Sequence, residues 1–123
     1  MIEPNVSMVS WVFFKLLHEE PVLLSENPFD STPRSGPSPY ESNQAIPYLV
    51  FVRKVRALKK AVPNLEVLWT RRFSLWAYPL SGGFSGPKLL PRFLEPVGWG
   101  MEKVLRPLAG LLACRLVVVI ERV

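Results

Sequence analysis

The chain has 123 residues, 49% of them hydrophobic and 20% charged, with a net charge of +5 and a pI near 9.7. That length fits one ordinary domain, and the apolar share can fill a core, which excludes disorder throughout. The single cysteine, Cys114, excludes an internal disulfide and a zinc site built on thiolates.

Met1-Ile2-Glu3-Pro4 is too short for a full element but reads as the last residues of a strand closed by proline. Ser7 or Ser10 can cap a helix running to Glu19 or Glu20, ended by Pro21. Its apolar residues, from Val9 to Leu17, wrap most of the circumference, so it should be buried against protein or lie on an apolar surface. Residues 21–42 carry five prolines among serines and read as a mobile loop, either a substrate-covering lid or a slack surface connection.

Asn43 to Pro47 can form a helical turn, and the apolar run Tyr48 to Val52 has no clear assignment. Arg53 to Val62 reads as a basic amphipathic helix with Val55, Leu58, Ala61 and Val62 inward, stopped at Pro63. Leu65 to Phe73 alternates and predicts a strand with one face less buried. A loop around Ser81-Gly82-Gly83 follows, and from Pro87 to Ala113 helical pieces are broken at Pro91, Pro96, Gly98, Gly100 and Pro107. The β-branched run Arg115 to Glu121 reads as a strand covered on both faces. One other full strand cannot enclose it, so the chain is expected to be a single partial α/β domain, 1–123, ending in an antiparallel strand pair with helices around it.

Chemistry-bearing residues are few. His18, the only histidine, sits beside Glu19 and Glu20 at a helix end, where it is either a general base or a dipole contact. Glu3 lies at a strand end, where α/β enzymes carry ligand-facing groups. Tyr78, Ser81, Gly82 and Gly83 can shape a substrate pocket or simply a turn. The basic run Arg53, Lys54, Arg56, Lys59 and Lys60 lacks interleaved aromatics, which favours a solvated helix face over a nucleic-acid partner. Cys114 is expected to be a buried, reduced thiol, which points to the cytoplasm. Glu3 and Pro4 stand where a secretory leader would carry positive charge, and no apolar stretch reaches the roughly 18–20 residues that span a bilayer.

These pieces, in order, resemble the C-terminal part of a class I S-adenosylmethionine-dependent methyltransferase of a bacterial type 11-like subgroup. Met1 to Asn5 resembles the end of the fifth strand and its turn, and Trp11 to Pro21 the helix that follows. Asn43 to Pro47 and Phe51 to Lys54 resemble the next segment, Asn64 to Val67 the sixth strand. Tyr78-Pro79-Leu80-Ser81-Gly82-Gly83-Phe84 resembles a subgroup loop, and Arg115 to Glu121 the seventh strand. The resemblance implies a Rossmann-like sheet fragment and an intact enzyme that moves a methyl group from S-adenosylmethionine to a small or lipid-like acceptor. The glycine-rich turn and the acidic ribose-binding residue of that family have no counterpart here. Met1 therefore falls inside the family's domain, as an internal start or truncated gene would produce. The expected partner is the missing N-terminal half or a complementing chain, and no cofactor binding is expected of this chain alone. A different class of reading is a small non-enzymatic protein lying on a membrane surface. Its basis is Phe84 to Leu112, where many apolar residues stand among Lys88, Arg92, Lys103 and Arg106.

Overall fold

A computed structural model describes residues 1–17, 20–30, 43–75, 80 and 90–123. Among these the elements are β1 (Ile2–Pro4), α1 (Met8–Leu17), α2 (Ile46–Tyr48), α3 (Val55–Ala61), β2 (Leu65–Phe73), α4 (Glu95–Val104), α5 (Ala109–Leu112) and β3 (Arg115–Arg122). A π-helical turn, Leu49–Arg53, continues α2, and single 3-10 turns at Arg92–Leu94 and Arg106–Leu108 precede α4 and α5.

The strands form one three-stranded sheet in the order β1-β3-β2. Both pairings are antiparallel, so β1 and β2 run in the same direction on either side of the last strand. Ile2 opposes Val117 and Pro4 opposes Arg115, while Phe73 meets Arg115 from the other side. The long pairing slips between Val67 and Trp69, an irregularity that leaves Leu68 as the extra residue of a β-bulge. The protein is a mixed α/β structure, as the alternation of apolar runs and helical pieces predicts.

β3 corrects one expectation. Leu116 and Val118 are fully buried, whereas Val117 and Val119 on the opposite face are only half covered and Ile120 is exposed. An unbroken β-branched run is compatible with two covered faces but does not create the second layer. Here the covered face belongs to Leu116 and Val118 alone. A second correction concerns α3. Leu58 is buried, but Val55, Ala61 and Val62 are exposed. The helix spans two turns and touches β2 and the π turn through one side, leaving no room for a wide inward stripe.

Of the breaks expected after Pro91 only the one at Pro107 is present; Pro96, Gly98 and Gly100 do not interrupt α4. Pro96 sits in the first turn of α4, where its missing N–H costs nothing, and Gly98 and Gly100 lie inside that helix. α1 ends among the described residues at Leu17, and Glu20 is already outside it.

The first part of the proline-rich loop is tied down rather than slack. Asn43 accepts from Leu23 N (2.8 Å) and Ala45 N (3.0 Å) and donates to Leu23 O (2.7 Å) and Glu26 Oε2 (2.5 Å). Gln44 donates to Glu20, and Lys54 Nζ donates to Asn27 Oδ1 at 2.7 Å. Beneath these bonds Val6, Ala45 and Leu49 form a small apolar cluster flanked by Val22 and Tyr48. Residues 31–42 lie outside the described part of the chain.

Truncating Leu116 to alanine removes the centre of the covered face and should destabilise the protein by about 2–5 kcal/mol, read by urea unfolding. Glu121 opposes Glu66 across the sheet, so Glu121→Lys should raise stability by about 0.2–1 kcal/mol. A loss of stability in that variant would contradict the register.

Candidate functional site

β1 and β2 end side by side against the start of β3, and that carboxyl end of the sheet is where open α/β sheets gather ligand-facing groups. Three chain segments are joined there by backbone bonds. Asn5 N donates to Cys114 O and Cys114 N donates to Ser74 O, each at 3.0 Å. Ser74, the residue just past β2, has φ 56°, a left-handed conformation that costs a residue bearing a Cβ about 1–2 kcal/mol. It is the turn that brings its carbonyl back to Cys114 and buries Leu75.

Around this junction lies a buried polar cluster. Ser7 caps α1: its Oγ accepts from Ser10 N (3.1 Å), and Ser10 Oγ accepts from Ser7 N (2.7 Å). This reciprocal arrangement satisfies two amides at the helix start, as a capping box does. Ser10 Oγ in turn donates to Asn5 O at 2.7 Å, and Asn5 Nδ2 donates to Ala113 O at 2.7 Å. Asn5 Oδ1 is buried and has no hydrogen-bond partner among the described residues. An unmet acceptor of that kind costs roughly 1–3 kcal/mol.

Of the candidate catalytic and substrate-binding residues read from the sequence, Glu3 alone is described. It is half-buried on β1 and shares a sheet face with Leu116, which it opposes, and with Arg72 beyond it. Two strand spacings, about 10 Å, separate Glu3 from Arg72 across the sheet, too far for an ion pair between the two backbone positions without long side-chain reach. His18, Tyr78, Ser81, Gly82 and Gly83 lie outside the described residues. The cluster's own members, Asn5, Ser7, Ser10 and Ser74, carried a weaker signal: an Asn-x-Ser-x-x-Ser run straight after a strand end. Only the meeting of that turn with Ser74 and Cys114 makes them a group.

The cluster does not fit S-adenosylmethionine. No glycine occurs in the turn from Asn5 to Ser10, and the amides of Asn5, Ser7 and Ser10 are already bonded within the protein. A cofactor cradle needs free amides and room for close backbone approach. Among the described residues no group of His, Cys, Asp and Glu can hold a metal ion, and no helix is long and apolar enough to cross a membrane.

Cys114 is fully buried, with Sγ near the carbonyls of Leu75 (3.9 Å) and Leu112 (3.8 Å). Burial pushes its thiol from 9.0 up to about 11, against the opposing pull of Arg115 and with a smaller push from Glu102. The thiol is therefore a packing group and a poor nucleophile at neutral pH. The basic run is also committed in part. Arg53 Nη1 donates to Leu24 O at 3.4 Å, Lys54 holds Asn27, and Lys59 stands 3.9 Å from Glu66.

No family model, curated protein or solved structure matches the chain.

Because the unfolded chain loses the Cys114 proton near pH 9.0 and the folded one near 11, stability is unaffected by this group below pH 9 and falls between those values. Cys114→Ala should flatten that part of the alkaline unfolding curve. Native protein should resist thiol reagents at pH 8 until denaturant is added. Asn5→Ala orphans the Ala113 carbonyl and should cost about 1–3 kcal/mol in urea unfolding.

Proposed function

We propose that this chain is the acceptor-side, C-terminal part of a class I S-adenosylmethionine-dependent methyltransferase domain, inactive by itself. The observation that carries the reading is the sheet order, with the final strand inserted antiparallel between two co-directional strands. The resemblance assigns β1, β2 and β3 to the fifth, sixth and seventh strands, and the antiparallel ending it implies agrees with that order. Exposed apolar surface supports the same conclusion. Ile2 on β1 and Met8, Val12 and Leu16 on α1 face solvent, and β1 is an edge strand among the described residues. An edge and a helix face of that composition suit a sheet that continues past β1.

In such an enzyme the missing half supplies the cofactor cradle, and this part helps orient the acceptor and exclude water. Alignment and desolvation provide much of the rate of methyl transfer, so a general base is not required of these residues. No catalytic step is assigned to Glu3 or His18.

The test is calorimetry with S-adenosylmethionine on two proteins. One is the chain as it stands; the other is any in-frame product extended upstream of Met1 by a strand and a Gly-x-Gly turn. The extended product should bind and the short chain should give no heat. Binding by the short chain, or an upstream reading frame with no such strand and turn, overturns the proposal.

A further inference from the structure

α4 is mounted with its apolar side outward. Residues Glu95, Gly98 and Glu102 recur every three or four positions and occupy its half-buried side. Val97, Met101 and Val104 form the opposite stripe and are 57%, 48% and 76% exposed. Phe93, four residues before Val97, is 77% exposed. The glycines mark which side of the helix faces the protein. A Cβ on Gly98 would meet Leu90 Cδ2 at 3.3 Å, so this position lies against the protein, whereas a Cβ on Gly100 would meet nothing within 4 Å. A surface helix normally buries its apolar stripe; this one presents it.

The charges sort in the same sense. Both carboxylates between Leu90 and Leu112 are on the half-buried side, while Arg92, Lys103 and Arg106 are exposed. Leu108 and Leu111, past the helix, are exposed as well. Exposed cations around an apolar stripe, with no outward carboxylate, complement a layer of anionic headgroups over acyl chains. A protein partner would also accept the apolar stripe, but the one-sided charge favours the lipid surface.

We infer that α4 and its flanking turns dock this protein on an anionic membrane surface, with Phe93, Val97, Met101 and Val104 entering the headgroup region. This goes beyond the methyltransferase reading and stands or falls without it, because vesicle binding requires no cofactor.

The full chain is floated with phosphatidylcholine vesicles, with and without phosphatidylserine. It should float with the serine-containing vesicles, less with the others, and less again at high salt. Val97→Ser with Val104→Ser should abolish flotation. Each of Arg92→Gln, Lys103→Gln and Arg106→Gln should weaken it about fivefold. All of these positions are exposed, so an unchanged unfolding midpoint shows the variants folded. No flotation with either vesicle, or flotation indifferent to these substitutions, overturns the inference. So does light scattering that shows a dimer dissolved by Val97→Ser with Val104→Ser, since the face would then bind a second copy.

Discussion

Everything in this molecule hangs on the hydrogen-bonded insertion of β3 between β1 and β2. The last strand brings together residues more than a hundred positions apart: Met1 N donates to Val118 O at 2.8 Å, and Val118 N donates to Met1 O at 3.0 Å. At the other end of β1, Cys114 bonds Asn5 on one side and Ser74 on the other. Contacts of such long range are slow to form and each closes a large loop, so the ladder, not local helix propensity, defines the fold. The helices are short and short-range by comparison, and most pack through a single side.

That economy of packing explains the surface. With Leu116 and Val118 as the buried centre and a separate small cluster at Val6, Ala45 and Leu49, the chain encloses few large side chains. The outer side of α1 and the outward stripe of α4 remain in solvent. They differ in character. On the α1 side Lys15 lies over Trp11 at 4.9 Å. The α4 side adjoins its own flanking turns and carries cations at its border, which suits a surface of opposite charge.

The polar junction at the end of β1 shows how chemistry and architecture share residues. Asn5, Ser7 and Ser10 look like a site because they are polar, buried and at the carboxyl end of a strand. Their hydrogen bonds, however, are turned inward on the turn, the helix start and the Ala113 carbonyl. Ser74 holds its left-handed conformation for the same junction.

Local pattern was enough for β2 and β3, whose alternating or β-branched runs admit few other conformations, and for the break at Pro107. It narrowed the cap to Ser7 or Ser10, which bond each other at the start of α1, and anticipated a buried thiol at Cys114. Three matters were decided only in the folded chain. The covering of β3 on one face depends on which layers exist, and a strand cannot encode its neighbours. The pinning of residues 20–30 depends on the amide of Asn43, a partner some twenty positions away. The roll of α4 depends on Gly98 meeting Leu90, against the direction its hydrophobic residues suggest. Periodicity specifies which residues share a side of an element; only contact with the rest of the molecule determines which side turns inward.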